Sequence, residues 1–265
     1  MTDAELQALV NRYTWFHSLQ LRPNVWSQGT KPPATLAAEA DAVFGPLAMA
    51  GRSILDIGAW NGFFSFEACR RGAAKVLATD SFTWNHPDYR GRETLELARF
   101  ALGLDDLITT QVADPMALEV ISGTHDVTLF LGVFYHLINP IPAIFALRRL
   151  TRQVLVVETH QDALHSPRPM MVFYPGKTLA NDPTNWWGPN PALMYELLTE
   201  AGFARVLYRP HPACPPGAPN GLADRRGIYH AFVSPNPSPL ETPGGHAGWL
   251  NLADPAQRAQ TVHPG

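Results

Sequence analysis

The sequence predicts an α/β fold in which a mostly parallel sheet is covered by helices on both faces. Short apolar runs of strand length alternate with segments of helix length from Ser53 to about Arg209. The first run, residues 53–57, ends in a turn that contains Gly58 and Gly62 and leads into a helix. The chain has 265 residues, of which 46% are hydrophobic and 16% charged, and this composition is typical of one compact domain with a substantial core.

The predicted elements follow one another in the order that such a sheet requires. Apolar runs predict strands at residues 53–57, 75–79, 107–112, 126–131 and 153–158. Periodic apolar positions predict helices at residues 62–71, 91–102, 140–151 and 190–201. Pro191 suits the first turn of the last of these helices, and Gly202 suits its end. Two further apolar runs, at residues 205–209 and 227–233, predict a final pair of strands.

Three segments lie outside this alternation. Residues 1–50 are expected to form a helical and aromatic cap or lid, ahead of the core domain at residues 51–234. Helices are predicted there at 4–13 and 35–44. Residues 159–190 form a connection rich in Pro, Asn, Trp and Tyr, and a connection of this length is usually functional, so we expect a substrate-side insertion. Residues 235–265 form a tail rich in Pro and Gly that is expected to cover the surface or to be disordered.

The turn after the first strand predicts a nucleoside-binding site, although an ordinary tight loop is an alternative. A nucleoside needs a glycine turn that lets the backbone approach closely, and a carboxylate that accepts hydrogen bonds from the ribose hydroxyls. Gly58 supplies the first, and Asp80, at the end of the second apolar run, supplies the second. A dinucleotide is the other candidate ligand, but the turn lacks the third glycine of G-x-G-x-x-G and carries the bulky Trp60. Asp56 suits a ligand with a cationic amino-acid tail, so S-adenosylmethionine is the predicted ligand.

Residues 55–62, LDIGAWNG, resemble motif I of the class I S-adenosylmethionine-dependent methyltransferases. The chain also resembles, more narrowly, the group related to the tRNA wobble-uridine (5-oxyacetyl-uridine) methyltransferases. The segments that carry this narrower resemblance are 15–21 (WFHSLQL), 132–137 (GVFYHL) and 155–159 (LVVET). The resemblance covers about residues 15–233 and implies a Rossmann-like, mostly parallel, seven-stranded sheet of order 3-2-1-4-5-7-6 with the last strand antiparallel.

A set of residues around motif I and at the strand ends is predicted to bind the cofactor. Asp56 is expected near the amino group of the donor, Gly58 beside its methionine part, and Asp80 at its ribose. Phe82 is a candidate for packing on the adenine, with a core aromatic as the alternative. Asp114, after the third strand, is a candidate for contact with the adenine amino group, with a helix N-cap as the alternative. The remaining candidates are Trp60, Asn61 and Gly132.

The loop after the fourth strand and the end of the fifth strand supply the candidate catalytic residues. Tyr135 and His136 follow the fourth strand at the carboxyl edge of the sheet, where ligands of α/β folds bind. Histidine suits a base at neutral pH, although His136 could equally cap the helix that follows. Glu158 and His160 end the fifth strand, and either could be a base. The resemblance implies that Tyr135 contacts a carboxylated form of the donor. No carboxylate pair stands at ligand spacing from His160, so no metal is expected.

The long connection at 159–190 predicts a wall of the acceptor site. Flat aromatic rings beside a few polar groups are typical of small-molecule pockets, whereas an aromatic plug at the sheet edge is the alternative. The candidates in this connection are Tyr174, Asn185, Trp186 and Trp187. Phe16 and His17 are candidates for a lid on the opposite side. Arg226 could face an anionic group of the substrate or could be solvated.

Composition narrows the class of partner. The net charge of −3 argues mildly against a large nucleic-acid surface. The N-terminus shows no basic and apolar leader, and the longest apolar stretch is too short to cross a membrane. Cys69 and Cys214 offer no disulfide framework, so a cytoplasmic protein is expected.

Three functions follow as hypotheses. The first is O-methylation of a small natural-product or sugar-like acceptor with S-adenosylmethionine. The second is methylation or carboxymethylation of a tRNA wobble uridine, the latter with carboxy-S-adenosylmethionine. Against it, no lysine stands upstream of Phe16, and only about 50 residues precede motif I. It would need a basic track to the cleft, formed by Arg12, Arg22, Lys31, Arg225 and Arg226. The third is a catalytically silent module that binds S-adenosylmethionine.

Overall fold

The computed structural model describes residues 1–212 and 225–263 of the chain. The α-helices of this part are α1 (Asp3–Val10), α2 (Pro33–Phe44), α3 (Phe63–Arg70), α4 (Phe82–Asn85), α5 (Gly91–Leu102), α6 (Pro140–Leu150), α7 (Pro191–Glu200) and α8 (Pro255–Ala259). Its strands are β1 (Trp15–His17), β2 (Gln20–Arg22), β3 (Val25–Trp26), β4 (Gly29–Lys31), β5 (Ser53–Ile57), β6 (Lys75–Asp80), β7 (Ile108–Val112), β8 (His125–Leu131), β9 (Thr151–His160), β10 (Met171–Phe173), β11 (Trp187–Pro189), β12 (Arg205–Pro210), β13 (Arg226–Phe232) and β14 (Leu250–Asn251). Cys214 lies outside the described residues.

Eight strands form the central sheet in the described part of the chain, in the order β14-β12-β13-β9-β8-β5-β6-β7. The pairs β5–β6, β5–β8, β6–β7 and β8–β9 are parallel. β13 is antiparallel to both of its neighbours, and β14 is antiparallel to β12. The predicted α/β fold is confirmed, but the predicted seven-stranded sheet is corrected to eight strands of mixed direction. The eighth, β14, comes from the tail, where a two-residue strand leaves no periodic pattern in the sequence.

Strand β5 is buried on both faces near the centre of the sheet, and all five of its residues are buried. Ile54 belongs to a hydrophobic cluster that contains residues of α3 and α5, whereas Leu55 belongs to a second cluster with residues of α6 and α7. Successive side chains of a strand point to opposite faces, so this alternation places helices on both sides of the sheet. A strand covered on both faces is apolar throughout, which is why its bounds are visible in the sequence.

Residues 1–50 pack on the same face of the sheet as α3 and α5. Trp15 and Phe44 belong to the same hydrophobic cluster as those helices. A capping box begins α1, since Thr2 accepts from the N–H of Glu5 and the Glu5 carboxylate accepts from the N–H of Thr2. Both helices predicted in this region are present. The short strands β1–β4 between them were not predicted, because two or three residues cannot display a period.

The tail, expected to cover the surface or to be disordered, contributes regular structure and buried side chains. Leu240 and Leu252 are fully buried, and Trp249 is nearly so. β14 pairs with β12, and Glu241 forms a bridge with Leu47 of the N-terminal region. A few spaced apolar residues are enough to hold such a segment on the core even where Pro and Gly suppress periodicity. The division of the chain into cap, core domain and tail stays a prediction.

Candidate active site

The carboxyl ends of the parallel strands meet at one edge of the sheet. The helix after β5 lies on one face and the helix after β8 on the other, so the loops that follow these adjacent strands diverge. Such a divergence leaves a crevice at the sheet edge where ligands of α/β folds bind. Motif I spans the end of β5 and the turn after it, and Gly132 opens the loop that follows β8. The predicted site residues of both loops therefore flank this crevice.

Gly58 lets the two loops approach each other closely. Its φ of 79° is a left-handed conformation that favours glycine. A Cβ atom at this position would lie 2.5 Å from Cγ2 of Val133, in the loop after β8. The N–H groups of Gly58 and Ala59 donate to the carbonyl oxygen of Thr79 at 2.8 and 2.9 Å. The turn is therefore fixed to β6 by two hydrogen bonds and packs against Val133 through Gly58.

Asp80 ends β6 with its carboxylate against the motif I turn. Its oxygens accept hydrogen bonds from the N–H groups of Trp60 at 3.1 Å and Thr83 at 3.0 Å. Burial raises the pKa of Asp80, against the lowering effect of these hydrogen bonds. Its carboxylate thus lies against the turn that the sequence assigns to the cofactor, and its contact with a ligand stays a prediction.

Asp56 is the second buried carboxylate at this edge. It is 3% exposed and accepts a hydrogen bond of 2.6 Å from Oγ of Ser65 in α3. Burial raises the pKa of Asp56 to about 6, and the nearby charge of Asp80 adds to the rise. Two carboxylates that are costly to ionise favour a cationic group next to them.

The side chains of Trp60 and Asn61 face the N-terminal region. The Trp60 indole stacks on the ring of Phe16, with centroids 4.2 Å apart and ring planes at 6°. Asn61 is fully buried, and its Oδ1 accepts from the N–H groups of Phe16 at 2.8 Å and His17 at 3.3 Å. Its Nδ2 donates to Oγ1 of Thr94 at 2.5 Å. The residues predicted as a lid are thus fastened to motif I, and the cofactor contacts of Trp60 and Asn61 stay predictions.

Three other predicted site residues lie in distinct surroundings. His17 is buried beside the ring of Phe63, and burial lowers its pKa to about 3, so the ring is neutral. Phe82 is 55% exposed on α4, so the alternative of a core aromatic is wrong. Asp114 is exposed, and its Oδ1 accepts from the N–H of Met116 at 2.8 Å within a turn. Their contacts with a ligand stay predictions.

Tyr135, Glu158 and Arg226 meet beside Gly132. Nε and Nη2 of Arg226 donate to Oε1 and Oε2 of Glu158 at 2.5 and 2.7 Å. These two hydrogen bonds form a bidentate ion pair between β13 and β9. The hydroxyl of Tyr135 lies 3.4 Å from both terminal nitrogens of Arg226. A Cβ on Gly132 would lie 3.8 Å from atoms of all three side chains. Burial would raise the pKa of Glu158, but the charge of Arg226 and its hydrogen bonds lower it to about 2. Such a carboxylate is a weak base, which favours the two histidines for that role.

His136 is partly exposed in the loop after β8 and contacts the long connection. Its Nδ1 lies 3.0 Å from the carbonyl oxygen of Thr184 and 3.1 Å from the Thr184 hydroxyl. Burial lowers the pKa of His136, while the contact with Thr184 and the charge of Asp182 act in the opposite direction. The ring is therefore neutral at pH 7 and held at one nitrogen.

His160 ends β9 and is 2% exposed. Its Nε2 lies 3.1 Å from the hydroxyl of Tyr174, and that hydroxyl donates to the carboxylate of Asp162. Asp162 also pairs with Arg225 at 2.6 Å. Burial lowers the pKa of His160 to about 4, so this ring too is neutral at pH 7.

The long connection packs directly on the loop after β8. The N–H of Trp186 donates to the carbonyl oxygen of Tyr135 at 2.8 Å, and Nε1 of Trp187 donates to the carbonyl of Ile138 at 3.2 Å. Asn185 is buried, and its Nδ2 donates to the backbone at 3.1 Å. The predicted acceptor wall therefore adjoins the predicted catalytic loop, although its contact with an acceptor stays a prediction.

The predicted site residues other than Phe82 and Asp114 form two groups. One group adjoins the motif I turn and contains Phe16, His17, Asp56, Gly58, Trp60, Asn61 and Asp80. The other surrounds the ends of β8 and β9 and contains Gly132, Tyr135, His136, Glu158, His160, Tyr174, Asn185, Trp186, Trp187 and Arg226. Sequence reasoning assigned no role to Asp162, Asp182 or Thr184. Their position in an unusually long polar connection was the available signal.

The described residues contain neither a candidate metal site nor a helix that could span a membrane. Within residues 1–212 and 225–263, no group of three or more His, Cys, Asp or Glu side chains is placed to hold a metal ion. In the same part of the chain, no helix is both long enough and apolar enough to cross a membrane. Cys69 is buried in α3, and burial raises the pKa of its thiol to about 11, so it is a core residue.

Solved structures share this architecture over most of the chain. The N-terminal domain of EvdMO1, crystallised in the presence of SAH and D-fucose, aligns with 88% of this chain and 97% of its own, with a TM-score of 0.59 and 17% identity. An S-adenosylmethionine-dependent methyltransferase from Mesorhizobium loti aligns with 74% of this chain and 99% of its own, with a TM-score of 0.55 and 18% identity. The chain has the class I methyltransferase fold.

Two curated proteins are similar to this chain in sequence. The tRNA U34 carboxymethyltransferase of Chromohalobacter salexigens is 26% identical over 211 residues, which is 73% of this chain and 57% of the relative. That of Desulfotalea psychrophila is 26% identical over 168 residues, which is 62% of this chain and 49% of the relative. The chain therefore spans about half the length of the curated relatives it matches. No protein-family model matches it.

Proposed function

We propose that this protein is an S-adenosylmethionine-dependent methyltransferase that methylates a hydroxyl group of a small, sugar-like acceptor. One observation carries the proposal. Two buried carboxylates, Asp56 and Asp80, flank the glycine turn of a methyltransferase fold, and the neutral histidines His136 and His160 lie in the loop after β8 and at the end of β9. The carboxylates supply a site for the donor, and the histidines supply a base for the acceptor.

The residues at the ends of β5 and β6 fit the donor. Gly58 has no side chain, so the motif I turn can pack directly against Val133 of the loop after β8, and the two loops together border the crevice. The carboxylate of Asp80, at the end of β6, suits the ribose hydroxyls, and Asp56 suits the cationic amino group. When bound, S-adenosylmethionine supplies a methyl group that is already activated for transfer. The protein's own part is to position the acceptor, exclude water and remove a proton.

His136 is the proposed base. Its ring is neutral at pH 7 because burial lowers its pKa, and it is partly exposed on the loop that borders the crevice. His160 is 2% exposed, and its Nε2 faces the hydroxyl of Tyr174, so it is less accessible to an acceptor. In the proposed step, a ring nitrogen of His136 takes the proton of the acceptor hydroxyl as that oxygen becomes methylated.

The acceptor wall favours a ring that carries several hydroxyl groups. Phe173 and Trp186 lie nearly parallel, with ring planes at 18°, and offer flat apolar surface. The linked polar groups of Tyr174, Asp162 and Arg225 offer both donors and acceptors nearby. Small-molecule sites combine these two kinds of surface. The presence of D-fucose in a structure of the EvdMO1 N-terminal domain supports a sugar-like acceptor.

Native mass spectrometry of the freshly purified protein tests the donor first. A retained mass of S-adenosylmethionine or of its demethylated product supports the proposal. Transfer of a labelled methyl group to a panel of monosaccharides and glycosides then tests the acceptor. His136→Gln should lower kcat by about 10²-fold or more, as removal of a general base does. His165→Gln, at an exposed position in the long connection, is the matched control and should leave kcat unchanged. Donor binding without transfer to any acceptor would instead favour the silent module.

Carboxymethylation of a tRNA wobble uridine is the second candidate. The contact of Arg226 with the Tyr135 hydroxyl favours it, because the resemblance implies that Tyr135 and an arginine meet a carboxylated donor. The two curated relatives bear that name. Against it, four of the five cations of the expected basic track are offset by carboxylates, which weakens attraction for phosphates. These pairs are Arg22–Asp3, Lys31–Glu39, Arg225–Asp162 and Arg226–Glu158.

The same mass measurement separates the two candidates. A retained donor heavier by a carboxylate would favour the carboxymethyl reaction. Binding of unmodified tRNA at low ionic strength, with an affinity that falls steeply as salt is added, would support a nucleic-acid substrate. Failure to bind tRNA even at low ionic strength removes this candidate.

A further inference from the structure

A chain of three polar groups runs from the long connection to His136. Oδ1 of Asp182 accepts hydrogen bonds from the N–H of Thr184 at 2.8 Å and from its hydroxyl at 2.7 Å. The hydroxyl and carbonyl oxygens of Thr184 lie 3.1 and 3.0 Å from Nδ1 of His136. The three residues come from two segments of the chain that are far apart in sequence.

The chemistry of these groups fixes the direction of each hydrogen bond. An ionised carboxylate can only accept, so the Thr184 hydroxyl donates its hydrogen to Asp182. That hydroxyl can then only accept from His136, and the carbonyl of Thr184 is also an acceptor alone. Nδ1 of His136 must therefore carry the hydrogen. In a neutral imidazole the other nitrogen, Nε2, then holds the lone pair that can take a proton.

We propose that Asp182 is a positioning residue which, through Thr184, holds His136 in the Nδ1–H tautomer and so keeps Nε2 as the base of the methyl transfer. The inference rests on the proposed function, in which His136 takes a proton from the acceptor. Asp182 acts through Thr184 and has no contact with the acceptor in this scheme.

The charged groups around His136 also bear on its role as a base. Asp182 in the long connection and Glu158 on β9 favour the protonated ring, whereas Arg226 on β13 disfavours it. Arg226 and Glu158 are paired with each other, so their effects on His136 partly cancel. Asp182 then supplies a carboxylate that stabilises the imidazolium formed when the acceptor loses its proton. His160, the other titratable ring near Tyr135, is neutral.

The backbone before Asp182 is held in a conformation that costs energy. Ala180 has a φ of 56° and Asn181 a φ of 57°, both in the left-handed region. Asparagine tolerates this region, whereas alanine adopts it only at a cost in energy. The surrounding contacts compensate for it, including the hydrogen bond of 3.1 Å from Nδ2 of Asn185 to the carbonyl of Leu179. Backbone strain that is held in place in this way often marks a functional segment.

Nitrogen NMR of the imidazole rings tests the proposal without any acceptor. The protein is labelled with ¹⁵N-histidine, and the His136 signals are assigned by their loss in His136→Gln. The wild-type ring should be the Nδ1–H tautomer at neutral pH. In Asp182→Asn, the amide can donate to the Thr184 hydroxyl, which then offers its own hydrogen to Nδ1. The Thr184 carbonyl still favours the Nδ1–H form, so the share of the Nε2–H tautomer should rise without becoming complete. The pKa of His136 should fall in this variant, because a carboxylate charge that favours the protonated ring is lost.

Asp162→Asn is the matched control, since that carboxylate bonds Tyr174 beside His160 instead. It should leave the His136 signals unchanged. Asp182→Ala introduces no amide that could form a new contact, and it should shift the tautomer in the same direction. SAH serves as the probe of an intact donor site, and its affinity should stay within about twofold of wild type in this variant. A wild-type ring in the Nε2–H form overturns the proposal. So does a tautomer and pKa that are the same in wild type and in both Asp182 variants.

Activity then separates this inference from the proposed function. Where an acceptor is methylated, Asp182→Asn should lower kcat by about 10- to 100-fold, as loss of a residue behind a catalytic group does. It should also move the acidic limb of the pH–rate profile to lower pH, which a merely structural role would not do. If no acceptor is methylated while the tautomer behaves as expected, the proposed function fails and the positioning role of Asp182 stands. If methylation occurs but the tautomer and the acidic limb do not respond to Asp182→Asn, only the positioning role of Asp182 fails.

Discussion

Replacement of Asn61 by alanine should detach the N-terminal region from motif I while the sheet stays folded. The Asn61 side chain is fully buried and joins three partners: the N–H groups of Phe16 and His17, and the hydroxyl of Thr94. No other side chain in the described residues spans motif I and β1 in this way through hydrogen bonds. Alanine removes all of these bonds at once.

The magnitude follows from the groups left unpaired. A buried N–H that loses its acceptor costs about 1–3 kcal/mol. His17 is buried, so its N–H falls in this range, whereas Phe16 is partly exposed and its N–H lies at the low end. The sum with the lost side-chain volume is about 3 kcal/mol, a large part of the 5–15 kcal/mol that stabilises a typical domain. At about 2–4 °C per kcal/mol, Tm should fall by about 6–12 °C.

Hydrogen exchange read by mass spectrometry locates the effect. Peptides that cover β1 should exchange faster in Asn61→Ala, while peptides that cover β5 should keep their protection. Asn185→Ala is the matched control, because Asn185 is a similarly buried asparagine whose Nδ2 bonds the backbone on the acceptor side. It should lower Tm without faster exchange in β1. Equal protection of β1 in wild type and Asn61→Ala, or equal loss in both variants, would refute the role assigned to Asn61.

Three further predictions concern the donor site and the ion pair. Gly58→Ala should destabilise the fold by about 1–3 kcal/mol in urea unfolding, because its Cβ would lie 2.5 Å from Cγ2 of Val133 at a φ of 79°. Adding Val133→Ala should recover the part of this loss that comes from the clash, but not the part that comes from the backbone conformation. If it recovers nothing, the assigned clash is wrong. The affinity for SAH should rise with pH up to about 6 and then level off, because the pKa of Asp56 is raised to about 6 and its ionised form binds the cationic amino group. The Asp56→Asn variant should bind SAH weakly, with an affinity that does not change with pH. If the affinity of this variant still depends on pH, another group is responsible for the titration. Arg226→Met should lower the free energy of unfolding by about 3–5 kcal/mol at pH 8, because it leaves the Glu158 carboxylate buried without its partner. The pKa of Glu158 is then no longer held down, so in urea titrations the difference in stability from wild type should shrink as pH falls toward 5. A difference that does not change with pH would argue against the ion pair as its source.

The parallel core could be predicted from the sequence because burial on both faces removes polar residues from its strands. The run at 53–57 has the observed bounds of β5, and the helix predicted at 91–102 has those of α5. Gly103, with a φ of 66°, ends that helix in the left-handed conformation that glycine favours. The acid at the end of β6 could be placed for the same reason, since the strand before it has only one plausible register.

The relations between distant segments could not be predicted. Nothing in the pattern around Asn61 indicates that its amide bonds the backbone of β1, because buried polar contacts leave no period in a sequence. The same holds for Thr184 and His136, which the fold brings together from separate connections. His136 could be identified as a candidate base, but the atom that accepts the proton depends on that contact. The edge strand β14 was missed for a different reason, since two residues among Pro and Gly are indistinguishable from a loop.

The two sides of the crevice are held by separate contacts, and this separation can itself be tested. Asn61 ties the N-terminal region to the loop after β5, whereas Thr184 ties the long connection to the loop after β8. Among the described residues these two sets of hydrogen bonds share no partner, so the effects of Asn61→Ala and Asp182→Asn on the free energy of unfolding should add to within about 0.5 kcal/mol. The first should weaken SAH binding and leave the tautomer of His136 unchanged, and the second should do the reverse. A large coupling would mean that the crevice closes as one unit, in which case the donor and acceptor walls could not be assigned to different residues.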